Sequence, residues 1–358
     1  MMDRSKCLRV WLPAIRAGSG ADVFTERLAD SLRKAGHDPV LQWFDRKLEL
    51  TPWILALAKA PSNIDLVHAG SWQGFAFKRK GIPLVITEHQ YIAHPDFAGH
   101  RSLAQALYHR LLVERWVQRS YAAADVLVTV SQYCALAMRK AVKKPVDVLH
   151  NWIDTEAFSP ASGPKPTYAG LSGPKPFKLL FVGNPSRRKG ADLLPALARL
   201  VGPDIEIHCL GGLRGAFSSG GGPANMKLLP PRPPNQMPQL YRSVDAVIVP
   251  TRYEPFGYVA LEAMACGIPV IGFDSSGTAE VCENGATALL APVNDVESLA
   301  GFARRLSDHP EISRSLGEAG RKRATHLFSE TQGVNRYLHI YRSLTSHAPN
   351  RAQPIGSA

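Results

Sequence analysis

The sequence predicts an α/β protein built from two similar halves, each a parallel sheet covered by helices, with a cleft between them. Three observations carry this. Short apolar runs rich in β-branched residues alternate with amphipathic helical stretches, the alternation stops near residue 159, and it then begins again. In the first half the runs are LRVWLPA (8–14), DPVLQWF (38–44), IDLVHA (64–69), PLVITEH (83–89), ADVLVTV (124–130) and VDVLH (146–150), with helical stretches such as VFTERLADSLRKAG (23–36) between them. In the second they are FKLLFVG (177–183), IEIHCLG (205–211), MKLLP (226–230), DAVIVP (245–250), IPVIGF (268–273) and ATALLAP (286–292).

The break is rich in Pro and Gly and carries SGPKP twice, at 162–166 and 172–176, which reads as a linker. The expected organisation is a first Rossmann-like domain over 1–160, a linker over 161–176 and a second Rossmann-like domain over 177–330. A terminal helix over 331–348 and a frayed tail over 349–358 follow. Two such sheets facing one another place their ligand at the carboxyl ends of the strands, in the crevice between halves.

Composition narrows the class. At 358 residues, with 45% hydrophobic and 20% charged residues, the chain is globular and long enough to need no staple. Five cysteines, with no CxxC among them, fit reduced thiols in a cytoplasmic protein. The first apolar run is cut by Arg9 and Pro13, so it reads as a buried strand and not as a signal peptide. No segment approaches 18 uninterrupted apolar residues. The net charge is +12, and residues 1–150 hold 21 Lys/Arg against 13 Asp/Glu. That excess would draw the first half to an anionic membrane surface or an acidic acceptor, giving a peripheral position on the inner membrane face. No nucleic acid is expected, because no compact basic stretch is interleaved with aromatics.

The most informative stretch runs from Pro250 to Glu280. A buried strand enters a loop holding Glu254, Pro255, Phe256 and Gly257, then a helix from Tyr258 that Gly267 caps. A loop opening a helix offers free N–H groups and partial positive charge, which suits a diphosphate. Glu262 on the helix can accept from a ribose diol, and Glu254 in the loop from sugar hydroxyls. A glycosidase pair needs its carboxyls about 5–9.5 Å apart. Eight residues of continuous helix would separate the two backbones by about 12 Å. Pro255 and Gly257 argue against continuous helix and leave the distance open, and a binding role for both carboxylates fits better.

A second feature is FVGNPSRRKG (181–190), where Gly183 ends a strand and Arg187, Arg188 and Lys189 precede Gly190 and a helix. Cations there would neutralise a departing pyrophosphate, whose charge grows as its bond to the sugar breaks. A third is Gly18-Ser19-Gly20, small residues after the first strand that let a backbone approach a ligand. With Asp45 after the second strand this imitates a dinucleotide fingerprint, but position 23 is Val where that fingerprint has its third Gly. His89 ends its strand at the cleft and can bond a sugar hydroxyl. Asn151 and Asp154 are expected to shape a turn near the hinge. Asp154-Thr155-Glu156 and Asp295-Val296-Glu297 are poor metal pairs, so no metal and no cofactor is expected.

Together these segments resemble the family-4 retaining glycosyltransferases of the GT-B fold. Glu254 and Glu262 match that family's E-x7-E signature, and the resemblance implies that Glu254 contacts the donor hexose and Glu262 the ribose. It places the Phe256–Gly257 backbone near sugar and phosphate, Lys189 on the diphosphate, Gly18–Gly20 in the first domain's glycine loop and His89 near the sugar. HNWIDTEAFSP (150–160) resembles the family's PNGVD…F segment and SSGTAEV (275–281) its GG…E loop. Two departures stand out: Asn184 occupies the place of an arginine, so Arg187 or Arg188 must partner Lys189, and Ser276-Gly277 replaces Gly-Gly. The RRKG form resembles enzymes of lipopolysaccharide and surface-polysaccharide assembly. The implied reaction moves a hexose from a nucleotide-diphosphate sugar to a glycan or lipid-linked acceptor with retention, with no protein nucleophile. The resemblance also implies that the last helix crosses back onto the first domain. A nucleotide-sugar 2-epimerase, a non-catalytic nucleotide-sugar binder and an NAD-dependent oxidoreductase are the competing readings.

Overall fold

A computed structural model describes residues 7–163, 176–211 and 222–346. Most of both SGPKP copies and of the expected linker, and the terminal tail, lie outside the described residues.

The first half contains β1 (Arg9–Ile15), β2 (Asp38–Phe44), β3 (Leu66–Gly70), β4 (Leu84–Glu88), β5 (Val126–Thr129) and β6 (Asp147–Val148). Its helices are α1 (Gly20–Lys34), α2 (Pro95–Ala98), α3 (Leu103–Tyr108), α4 (Glu114–Ala123) and α5 (Gln132–Ala141). The second half contains β7 (Phe177–Val182), β8 (Ile205–Leu210), β9 (Met226–Leu229), β10 (Ala246–Val249), β11 (Val270–Phe273) and β12 (Ala288–Ala291). Its helices are α6 (Leu194–Val201), α7 (Met237–Arg242), α8 (Tyr258–Ala265), α9 (Ser276–Val281), α10 (Val296–Asp308), α11 (Pro310–Leu327) and α12 (Glu330–Ser346).

All strand pairs are parallel, in two six-stranded sheets. The second sheet has the order β9-β8-β7-β10-β11-β12, which reverses direction between β7 and β10. The first has the order β2-β1-β3-β4-β5-β6 and reverses between β1 and β3. A crevice opens where the order reverses, because the connections on its two sides leave toward opposite faces. The loops after β7, β10 and β1 are those that carry Lys189, Glu254 and Gly18.

Helix α1 shows how local sequence sets the packing. Phe24, Leu28 and Leu32 recur every fourth residue and are buried, Asp22 lies in the first turn, and Arg33 and Lys34 lie in the last, matching the helix dipole. The last helix packs onto the first half: Val334, Tyr337, Leu338 and Tyr341 share a core with Val10, Leu12, Phe24 and Trp152. This contact buries polar groups and must satisfy them. His68 on β3 pairs through Nδ1 with the Tyr341 hydroxyl at 2.5 Å and through Nε2 with Thr87 Oγ1 at 2.7 Å. The Tyr337 hydroxyl lies 3.2 Å from the same Thr87 oxygen.

Burial, with a smaller push from His89, lowers the His68 pKa to about 3. The folded chain therefore refuses a proton that the unfolded chain accepts below about pH 6.5, and stability falls as pH drops through that window. One such histidine contributes a slope of up to about 1.4 kcal/mol per pH unit. The melting temperature should decline from pH 6.5 toward pH 4, and His68→Gln should lower it at neutral pH while flattening that decline. Parallel pH profiles of the two proteins would count against this account of the packing.

Candidate functional site

Two partly buried carboxylates organise the crevice, Glu254 just before α8 and Glu262 on it. Glu254 lies in the loop after β10, and its Oε2 pairs with Lys189 Nζ from the loop after β7. Burial alone would raise the Glu254 pKa, but Lys189 and then Arg188 outweigh it and hold the carboxyl below its ordinary value. Glu254 is ionised at neutral pH, so the site presents fixed charges of both signs.

The basic loop is held in place by its surroundings. Ser186 Oγ accepts from the Lys189 N–H at 3.4 Å, and Gly190 closes the turn at φ +74°. A Cβ on Gly190 would sit 2.0 Å from the Pro250 carbonyl oxygen, so only glycine lets this loop lie against the end of β10. Arg252 braces it from the other side. Its guanidinium grips both oxygens of Asp192, at 2.7 and 2.9 Å, and donates to the Arg187 carbonyl. Arg188 Nη1 donates to the Tyr253 carbonyl at 3.0 Å, and its side chain is half-buried beside Glu254. Arg187 is exposed. Of the two arginines that sequence left open, Arg188 is the one beside Lys189 and Glu254.

Glu262, on α8, has both oxygens engaged. Tyr241 donates to Oε2 at 2.9 Å, and Arg27 Nη2 of α1 donates to Oε1 at 3.1 Å. The Arg27 guanidinium also lies 4.8 Å from the Tyr258 ring centre, and its Nη1 is buried without a hydrogen-bond partner. Neither Arg27 nor Tyr241 was visible as a site residue in the sequence, because each reads as part of an amphipathic helix. The structure thus gives each carboxylate its own partners rather than a shared bond.

The turn into α8 depends on Gly257, at φ +106°, and on the neighbouring α9 loop. Gly277 donates to the Glu254 carbonyl at 2.8 Å, and a Cβ there would come within 2.5 Å of the Phe256 backbone. Ser276 takes a left-handed φ of +51°, which costs a non-glycine residue about 1–2 kcal/mol. Its Oγ accepts the Glu254 N–H at 2.9 Å, a bond that offsets part of this strain. That is the physical reason a serine can stand where the resembled family has glycine. Phe256 is buried, with its ring 5.8 Å from that of Phe328.

On the facing half, Gly18 adopts φ +65° and its N–H donates to Asp22 at 2.7 Å, with Ser19 Oγ bonding the same carboxylate. A Cβ on Gly20 would meet open space. His89 follows β4 and packs 4.5 Å from the Phe24 ring, and burial lowers its pKa to about 4, so it is a neutral imidazole at physiological pH. The preceding Glu88 is buried and accepts from Tyr121 at 2.5 Å. Gly183 donates to the Leu210 carbonyl. Asp45 accepts from the Lys47 N–H and starts a short 3-10 turn, so it is spent locally, against the dinucleotide reading. Asp154 caps its turn through the N–H groups of Glu156 and Ala157, both at 3.0 Å. Among the described residues no three His, Cys, Asp or Glu side chains gather as a metal-holding group.

The halves are joined by more than Arg27. Glu280 accepts from the N–H groups of Gln132 and Tyr133 at the start of α5, at 2.8 and 3.1 Å, and pairs with His150. The Tyr253 hydroxyl donates to the Tyr91 carbonyl at 3.3 Å.

Two parallel α/β sheets, with a basic loop and two half-buried glutamates at the switch point of the second, match the GT-B fold of glycosyltransferases. The family model described as Glycosyl transferases group 1 matches residues 169–323, and that described as Glycosyltransferase Family 4 matches residues 39–157. The chain is 30% identical over 313 residues to a D-inositol 3-phosphate glycosyltransferase of Saccharomonospora viridis, covering 79% of this chain and 70% of that protein. It is 28% identical over 353 residues to an alpha-maltose-1-phosphate synthase of Mycolicibacterium smegmatis, covering 88% and 89%. Among solved structures, sucrose-phosphate synthase of Thermosynechococcus elongatus superposes with a TM-score of 0.79 at 21% identity, over 95% of this chain and 99% of that one. Anabaena HepE in complex with UDP-glucose superposes at 0.74 and 18% identity, over 94% and 100%. This chain belongs to the group 1, family 4 glycosyltransferases, and it is a transferase enzyme.

Gly190→Ala tests the loop geometry. The overlap with Pro250 and the left-handed backbone should together lower stability by about 1–3 kcal/mol and displace Lys189 from Glu254. A melting temperature within a degree or so of wild type would contradict the packing described.

Proposed function

We propose that the enzyme transfers a hexose, with retention, from a nucleotide-diphosphate sugar to a hydroxyl of a glycan or lipid-linked acceptor. The observation that carries this is the pairing of a half-buried, ionised Glu254 with Lys189 at the switch point, with Arg188 beside them. In this reading Lys189 and Arg188 take up the charge that develops on the β-phosphate, with no resident metal or cofactor assigned. The Gly183, Gly257 and Gly18–Gly20 backbones approach the diphosphate, with Ser19 and the exposed Arg187 at its edge. Glu254 accepts from donor hydroxyls beside Phe256, and the neutral His89 bonds the sugar from the facing half. The ribose diol takes the Glu262 oxygen that Arg27 now holds and lies beside Tyr258. The acceptor oxygen attacks the anomeric carbon on the face the diphosphate leaves, and the leaving phosphate oxygen takes the acceptor proton.

The acceptor class rests on the resemblance to lipopolysaccharide and polysaccharide enzymes, with the enzyme working in the cytoplasm at the inner membrane face. A phosphorylated polyol or sugar is the second acceptor reading, favoured by the names of the relatives. An epimerase would convert the donor with no acceptor present, and a binding protein would leave it unchanged.

A thermal-shift screen of UDP-, GDP- and ADP-sugars should find one nucleotide that raises the melting temperature, because ligand binding stabilises the folded state by mass action. With that donor, Glu262→Ala and Lys189→Ala should each lower release of the nucleoside diphosphate by at least about 100-fold, while both variants keep a wild-type circular dichroism spectrum. Near-normal turnover in both variants would refute the assignment.

A further inference from the structure

Among the described residues, large apolar side chains that face solvent are concentrated in one place. Eight of the twelve lie in residues 50–57 and 103–112 of the first half. Leu103 is 91% exposed, Leu57 86% and Trp53 50%. The two segments lie side by side: the Tyr108 hydroxyl donates to the Glu49 carbonyl at 3.4 Å, and the Trp53 and Tyr108 rings both pack against Trp116, at 6.1 and 6.2 Å. A scattered exposed leucine needs no explanation, but a cluster rimmed by polar groups marks an interaction surface.

Charge indicates the partner. Residues 46–59 and 101–119 together carry seven Lys/Arg and two Glu. Arg46, Lys47, Lys59, Arg110, Arg115 and Arg119 are all exposed. Leucines at 103, 107 and 111 fall four apart along one helical path, with arginines beside them and a half-exposed tryptophan next to them. This is the make-up of a surface that lies in the headgroup layer of an anionic bilayer, where apolar side chains enter the acyl boundary and cations meet phosphates.

Position relative to the site supports the same occupant. His100, three residues before Leu103, has its pKa lowered by burial and then by the positive charges of Arg252, Arg188 and Arg187, so it sits near the basic loop of the donor site. A bilayer under this face would hold a lipid headgroup next to the crevice.

We infer that the face formed by residues 46–59 and 103–119 docks the enzyme on an anionic lipid surface, and that it thereby presents a membrane-carried acceptor to the crevice. This rests on the lipid-linked form of the acceptor proposed above, and it narrows that acceptor to one embedded in a bilayer.

The test is flotation of the full chain with vesicles of phosphatidylcholine containing about 30% phosphatidylglycerol, against phosphatidylcholine alone. Wild type should float with the anionic vesicles at low salt, with at least about tenfold less bound to neutral vesicles or in about 0.5 M salt. Leu103→Glu/Leu107→Glu and Arg110→Glu/Arg115→Glu should each reduce flotation at least about fivefold. Both pairs are exposed, so the donor-induced thermal shift should persist. Equal binding to both vesicle types, or variants that float as wild type does, would overturn the inference. So would a solution dimer that the leucine substitutions split, which would make this face a subunit interface. Failure of the transferase reading would appear separately, as no thermal shift or turnover with any nucleotide sugar.

Discussion

The crevice depends on the cost of withdrawing Glu254 and Glu262 most of the way from water within nine residues of one chain. An ionised carboxylate withdrawn from water must find a counter-charge and hydrogen bonds, or it will protonate or unfold its surroundings. Each glutamate is served from a different part of the molecule. Lys189 comes from the neighbouring strand's loop, which Gly190 and Arg252 fix against β10. Arg27 comes from the other half, 235 positions away in sequence. Satisfying the first carboxylate shapes the loop between β7 and α6, and satisfying the second ties the two sheets together.

The strands were legible because parallel sheets covered on both faces demand continuous apolar runs, and all twelve predicted runs form strands. The loop from Pro250 to Gly267 was legible for a related reason: a strand end, a Pro-Phe-Gly turn and a helix cap follow one another in local sequence. Its partners were less so. Three consecutive cations after a strand suit a departing pyrophosphate and the family resemblance singled out Lys189 among them, but sequence could not choose between Arg187 and Arg188, since the choice depends on which way a 3-10 turn faces. Arg27 was hidden, because a cation within an amphipathic helix reads as a solvated face. Ser276 was seen only as a departure from a pattern. Its left-handed backbone, and the hydrogen bond that offsets the strain, exist only once α9 lies against the Glu254 loop.

The contacts between the halves mix polar bonds, with Glu280 capping α5 and Tyr253 reaching the Tyr91 carbonyl, with apolar packing, because the Tyr253 ring is buried in the first half's core 5.1 Å from that of Phe97. Polar contacts of this kind can be exchanged for water or ligand at low cost, while core contacts cannot. The polar part of the seam can therefore rearrange while the Tyr253 packing holds, which suits a reaction that must admit two substrates and then exclude water.

The final helix qualifies that picture. By sequence α12 follows the second half, yet Tyr337 and Tyr341 complete the core of the first and satisfy His68 and Thr87. A fragment ending near residue 160 would bare Trp152 and leave the His68 imidazole without its phenol. The halves are consequently not interchangeable cassettes, and a chimera that swaps the donor-side sheet between relatives would have to keep the native terminal helix with the amino-terminal one.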